Sequence, residues 1–191
     1  MIELLEFDEY LFHLVNTGCQ HPFLDWSMPL LRNKYIWLPF YAFIVSFLLL
    51  NFSRKGLVAV LILVLVVAVA DNVSSELVKK SVQRLRPCKV LDPQCDMRLL
   101  VPCGSGFSFP SSHATNHFAV ATYLMLALGG LFRWVKWPLM LWAASIAFAQ
   151  VYVGVHYPLD VVGGALLGIL VGWGAYLVQY HTGNELVTTP A

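Results

Sequence analysis

Five stretches of the chain are apolar over most of the length of a bilayer crossing: residues 35–52, 57–70, 113–132, 137–155 and 159–180. About 20 apolar residues cross the hydrocarbon layer as a helix. Lipid leaves no partner for an unpaired backbone group, so such runs predict helices. Period-2 alternation is absent, which argues against an outer-membrane barrel. The helical pattern of the second run continues through Lys79 towards Arg86.

The first 34 residues break this pattern. Residues 1–16 interleave Glu3, Glu6, Asp8 and Glu9 with Leu4, Leu5, Leu11, Phe12 and Val15. That predicts an amphipathic helix lying in the interface. Its acidic start does not fit a signal peptide. Residues 23–31 predict a second surface helix or a re-entrant piece. A sixth crossing there would need about twice that length. The expectation is an all-α membrane protein, one domain over residues 1–191. It is a polytopic bundle of five, at most six, transmembrane helices over 35–180, with an interfacial segment at 1–34 and a tail at 181–191.

Composition narrows the classes that remain. The 191 residues are 58% hydrophobic and 12% charged. A soluble domain is about 45–50% apolar and about 25% charged. A chain this short cannot hide so much apolar surface from water. A net charge of +1 offers no field to a polyanion, which excludes a nucleic-acid partner. The bilayer is the expected surrounding.

Charge also orients the bundle. If the runs alternate sides, one face carries two short loops, with Arg54 and Lys55 in one and Arg133 and Lys136 in the other. Short basic loops stay in the cytoplasm. The opposite face then lies outside. It carries the long loop 88–110 with Cys88, Cys95 and Cys103, and also Cys19. Disulfides persist in oxidising compartments. Cys88 with Cys103 would staple the loop's ends, but the sequence leaves the pairing open. The short Cys-x-x-Cys spacing of zinc sites is absent.

Three polar clusters face that outer side. The first holds Asn72, Glu76, Lys79, Lys80, Gln83, Arg84, Arg86 and Pro87. Lys79 and Arg86, about two turns apart, are expected on one helix face, and Pro87 is expected to stop the helix. A snorkelling basic collar is the structural alternative. The second, residues 104–113, is a Gly/Ser-rich loop entering a helix at Ser111, Ser112 and His113. Free N–H groups at a helix N-terminus bind phosphate, and the two hydroxyls can add donors. A plain N-cap is the alternative. His113 and His117, at i and i+4, are a candidate metal pair, although His117 reads better as a satisfied interfacial histidine. The third, residues 150–160, holds Gln150, Tyr152, His156 and Asp160. A carboxylate that accepts one imidazole N–H leaves the other nitrogen as a nucleophile or base. The alternative is a cap with an interfacial tyrosine ring. Together the clusters offer cations, N–H donors, two histidines and a carboxylate, an inventory suited to phosphoryl transfer.

Lys79-x6-Arg86-Pro87, Pro110-Ser111-Ser112-His113 and His156-x3-Asp160 together resemble a three-part family signature. The signature is K-x6-R-P, P-S-G-H and S-R-x5-H-x3-D of the type 2 phosphatidic acid phosphatase superfamily. The resemblance implies hydrolysis of a lipid phosphate or diphosphate through a phosphohistidine, with no metal and no other cofactor. It implies His156 as nucleophile, Asp160 as its orienting partner and His113 as general acid. Lys79, Arg86, Ser111 and the N–H groups of Ser112 and His113 would hold the phosphate. Two positions depart from the signature. Ser112 stands for its glycine, and Ala149-Gln150 for its Ser-Arg pair. Gln150 keeps amide donors for the phosphate and loses the guanidinium fork. Arg84, Lys80 or Arg98 are candidates to take over that charge.

The expected substrate is a membrane lipid phosphate: undecaprenyl diphosphate, a lipid A phosphate, phosphatidylglycerol phosphate or phosphatidic acid. The expected place is a bacterial inner membrane, with the site facing the periplasm. Gly164, Gly168 and Gly172 form a ridge expected to pack inside the bundle, leaving a monomer or a weak homodimer. Two rival readings are a metal hydrolase using His113, His117, His156 and Asp160, and a lipid-phosphate transporter using the same anion site.

Overall fold

The computed structural model describes residues 2–91 and 96–186. Helices dominate: α1 (Ile2–Asn16), α2 (Pro22–Leu31), α3 (Leu38–Asn72), α4 (Lys79–Val82), α5 (Pro87–Val90), α6 (Ser112–Leu128), α7 (Lys136–Tyr152) and α8 (Pro158–His181). A 3-10 turn, Lys34–Trp37, leads into α3, and a π-helical turn, Val73–Val78, joins α3 to α4.

α3 is two arms rather than one rod. Ser53 sits at φ 48°, ψ −123°, between arms at 38–52 and 54–72. A side-chain carbon on Gly56 would lie 1.9 Å from the carbonyl of Leu48. In a straight helix eight residues are about 12 Å apart. The chain therefore doubles back at Ser53, and Arg54 and Lys55 ride on the turn. Only glycine fits where the second arm crosses the first so closely.

The core lies where the α3 arms meet α6 and α7. Ile44, Leu48, Ala59, Val66, Tyr123, Leu124, Trp142 and Ile146 are buried there together. The outer surfaces are the reverse of a soluble protein. Leu50, Val64, Leu65 and Leu170 are more than half exposed. Two helical stretches, Lys34–Val90 and Pro158–His181, are long and apolar enough to cross a membrane. Apolar surface of this extent is stable only against lipid. The protein is a membrane protein.

α8 packs on α6 through the glycine ridge. A side-chain carbon on Gly164, Gly168 or Gly172 would lie 2.6, 2.3 or 2.4 Å from the carbonyls of Ser111, Thr115 or Ala119. The ridge is thus used inside the chain, and it carries Asp160 up against Ser111, whose N–H donates to the Asp160 carbonyl at 2.9 Å.

α1 turns a polar residue inward. Asp8, Phe12 and Asn16, at i, i+4 and i+8, are buried, while Leu4, Phe7, Tyr10 and Leu14 are exposed. The apolar residues of this helix, expected to lie in the interface, are divided between protein and surroundings. Asp8 explains the arrangement. It accepts the Leu159 N–H at 2.8 Å, at the start of α8. Asn16 closes the other end, donating to the carbonyls of Arg98 and Tyr152 at 2.8 Å each.

The expected continuous helix from the second run to Arg86 does not form. α4 ends at Val82, and Gln83 adopts the left-handed conformation at φ 53°, ψ 27°. Arg86 is extended, and Pro87 opens α5 instead of closing the preceding helix. Lys79 and Arg86 therefore do not share a helix face. A disulfide joins Cys88 to Cys103. Cys19 is free and exposed. Cys95 lies outside the described residues.

Candidate functional site

The turn between α7 and α8 sets the centre of the site. Gly154 adopts φ +88°, a conformation suited to glycine. A side-chain carbon there would also strike the Arg98 carbonyl at 2.5 Å. The turn places His156 at 2% exposure, with Asp160 fully buried one helical turn on. His156 Nδ1 lies 3.5 Å from Asp160 Oδ2. Ser108 Oγ sits between them, donating to Asp160 Oδ2 and lying 3.3 Å from His156 Nδ1. The Tyr157 N–H donates to the same carboxylate oxygen at 2.8 Å. Asp160 is thereby fixed, and Nδ1 is the ring nitrogen that carries the proton.

The other nitrogen faces a cation. Arg86 Nη1 lies 3.3 Å from His156 Nε2 and 3.3 Å from the Val155 carbonyl, and Nε donates to the Gly106 carbonyl at 3.1 Å. Gly104 lets this guanidinium in, since a side-chain carbon there would lie 3.2 Å from Arg86 Cζ. The disulfide beside Arg86 ties the two loop segments together. Burial pulls the His156 imidazole down to about 4, against the opposing influence of Asp160. A ring so shifted is neutral at neutral pH, with the Nε2 lone pair towards Arg86.

Lys79 is buried at the first turn of α4. His113 is half-buried at the start of α6. The positive charges of Arg32 and Lys79 both act on the His113 ring. The structure thus gathers Lys79, Arg86, His113, His156 and Asp160 despite the broken helix. Ser111 Oγ is buried without a hydrogen-bond partner among the described residues. Ser112 Oγ lies 3.1 Å from both Ser74 Oγ and Ser75 Oγ. Its hydroxyl therefore braces the π-helical turn ahead of Lys79 and leaves only its N–H for a ligand. His117 is a satisfied core histidine, with Nδ1 2.7 Å from the His113 carbonyl and Nε2 3.2 Å from Tyr41 Oη. Among the described residues no three His, Cys, Asp or Glu side chains form a metal-binding cluster.

Each of the three cations expected to replace the missing arginine is paired with an acid. Arg84 Nη1 donates to Asp160 Oδ1 at 2.9 Å and Nη2 to Asp8 Oδ2 at 2.7 Å, with its guanidinium 4.2 Å from the centre of the Tyr157 ring. Lys80 pairs with Glu76. Arg98 pairs with Asp25 at 2.6 Å. Gln150 is fully buried and accepts a hydrogen bond from Arg32 Nε at 3.3 Å.

Residues 56–183 match the model of the PAP2 superfamily. The chain belongs to the PAP2 superfamily. It is 36% identical over 183 residues to a lipid A 4'-phosphatase of Bacteroides thetaiotaomicron, covering 94% of this chain and 80% of the relative. It is 34% identical over 176 residues to an undecaprenyl-diphosphatase of Sulfolobus acidocaldarius, covering 90% and 76%. Its fold matches a PAP2-type phosphatidylglycerolphosphate phosphatase of Bacillus subtilis with TM-score 0.73 at 23% identity, covering 95% of this chain and 88% of that one. The chain is a phosphatase of this PAP2 kind.

Sequence reasoning missed Ser108, Asp8 and Arg32 around these residues, and gave Arg84 a different part from the one it plays in holding Asp160. Ser108 lay in the Gly/Ser stretch, where nothing set it apart from Ser105. Asp8 and Arg84 form a pair separated by 76 residues, and no local pattern announces it. Arg32 had a signal. Asp25, Met28 and Arg32 fall at i, i+3 and i+7, one face of a helix.

Proposed function

We propose that the chain hydrolyses the phosphate of a membrane lipid through a phosphohistidine on His156, without a metal. The observation that carries this reading is Arg86 Nη1 at 3.3 Å from His156 Nε2. A phosphate held by that guanidinium has its phosphorus beside the free nitrogen lone pair.

His156 Nε2 attacks phosphorus in line, and the P–O bond to the lipid breaks as the P–N bond forms. His113 gives its proton to the departing oxygen. Asp160 and Ser108 hold Nδ1–H while the ring becomes cationic. Water then attacks the phosphohistidine, His113 takes a proton from it, and the P–N bond breaks to release inorganic phosphate. Lys79, Arg86, Ser111 and the N–H groups of Ser112 and His113 stabilise the charge on the equatorial oxygens. This division of labour supplies positive charge from the side chains themselves.

A lipid A-type phosphate monoester is the first-choice substrate, supported by the relative covering 94% of the chain. A polyprenyl diphosphate is the second, supported by the archaeal relative. The two α3 arms with α4, then α6, α7 and α8 make five crossings in this reading. The basic turns at Arg54 and Arg133 support a site outside the cytoplasm. The Cys88–Cys103 disulfide supports that side.

Phosphate release by the purified, detergent-solubilised protein across a panel of lipid phosphates and diphosphates tests the reading. His156→Ala abolishes release, chelator leaves it unchanged and vanadate inhibits it. Quenched wild-type enzyme carries an acid-labile phosphoryl group that His156→Ala lacks. Unchanged turnover in His156→Ala overturns the mechanism.

A further inference from the structure

Arg32 caps the C-terminus of α2, in the segment ahead of the first α3 arm. Its Nε donates to Gln150 Oε1. Among the described residues no carboxylate pairs with Arg32, and its two Nη groups have no hydrogen-bond partner. Burial, and after it the charge of Arg86, pulls this guanidinium below its ordinary value. Its charge also acts on His113. Gln150 Nε2 is buried with no partner among the described residues. Unpaired buried donors are costly, and like charges held together are costly too. Both costs vanish when an anion enters between them.

α2 is anchored so that Arg32 arrives there. Asp25 accepts from Tyr152 Oη and from Arg98 Nη2, each at 2.6 Å. Met28 is buried against Tyr152 and Val153. Two turns beyond Asp25, Arg32 meets Gln150, two residues before Tyr152 on α7. One face of α2 therefore reads along the end of α7.

We propose that Arg32 binds the substrate phosphate, restoring from α2 the guanidinium that α7 lacks at position 150. Gln150 serves as its bracket: Oε1 orients the guanidinium, and Nε2 gives a further donor to the same oxygen cluster. The ligand is a phosphate monoester or the terminal phosphate of a diphosphate. This inference rests on the phosphatase reading above and adds a binding residue to it.

The test compares Arg32→Gln, Gln150→Arg and the double variant with wild type in the full-length detergent-solubilised protein. Arg32→Gln lowers kcat/KM by about 100-fold, the usual cost of one lost oxyanion donor. It weakens inhibition by inorganic vanadate by at least about tenfold, since a charge-assisted contact is gone. Placing the guanidinium back on α7 in the double variant recovers much of the loss. Arg32→Gln activity within about twofold of wild type overturns the proposal. So does lost activity with vanadate inhibition unchanged, because that marks a structural role. If Arg32→Gln does not accumulate, Arg32→Lys, which keeps the charge and loses the fork, is read by the same two measurements. His156→Ala run alongside separates the cases: turnover surviving there removes the phosphatase mechanism itself.

Discussion

Arg84 donates to Asp160 Oδ1 at 2.9 Å, so the carboxylate beside His156 is held by a cation whose other arm is spent on Asp8. A motif arginine and a structural arginine thus sit two residues apart, and of the two only Arg86 reaches His156 Nε2.

That bridge gives the first prediction. Asp8→Asn leaves Arg84 with one partner and loosens Asp160. kcat falls by about tenfold, in line with loss of an outer partner at a reactive centre, while vanadate inhibition stays near wild type. Steady-state kinetics with a vanadate titration reads both. A matching rise in the vanadate inhibition constant would place Arg84 on the phosphate instead.

The His156 imidazole is pulled below its ordinary value, to about 4. Attack needs the neutral ring, so kcat/KM rises with pH through that value and is flat above it on this limb. A pH–kcat/KM profile between about 3.5 and 8 checks the sign, against an unperturbed histidine near 6.5. An acid limb centred near 6.5 contradicts the burial argument.

The glycine ridge has no room for a methyl group. Gly168→Ala would put a carbon 2.3 Å from the Thr115 carbonyl. α8 must shift away from α6, at a cost of about 1–3 kcal/mol typical of overpacking. Thermal unfolding in detergent measures it. Gly174→Ala, where nothing lies within 4 Å, serves as the control and leaves the midpoint in place.

The Cys88–Cys103 disulfide closes a loop with a sequence separation of 15. Chain-entropy reasoning assigns such a loop about 3 kcal/mol. The paired substitution Cys88→Ser with Cys103→Ser lowers the unfolding midpoint and slows turnover, because Arg86 and Gly106 lose their shared tether. Reductant reproduces the effect on wild type and leaves the double variant unchanged.

The helices were legible because apolar runs near bilayer length have few other solutions. The separate motifs were legible because each sits at a helix end, where spacing is local. The break at Gln83 was not, since a left-handed glutamine is dictated by packing and no glycine marks it. The Asp8–Arg84–Asp160 bridge and the Arg32–Gln150 contact were not either. They join residues 76 and 118 positions apart, through the docking of α1 and α2. The cations that the sequence offers for the charge missing at Gln150, Arg84, Lys80 and Arg98, are each committed to an acid.

Asp8, Asp25 and Arg32 all precede residue 56, where the match to the family model begins. A chimera that exchanges this leading portion with that of a relative keeps every signature residue in place. It nonetheless replaces the partners of Arg84, Tyr152 and Gln150. Intact signature residues in such enzymes therefore do not by themselves guarantee turnover, because the leading portion carries the partners that hold them.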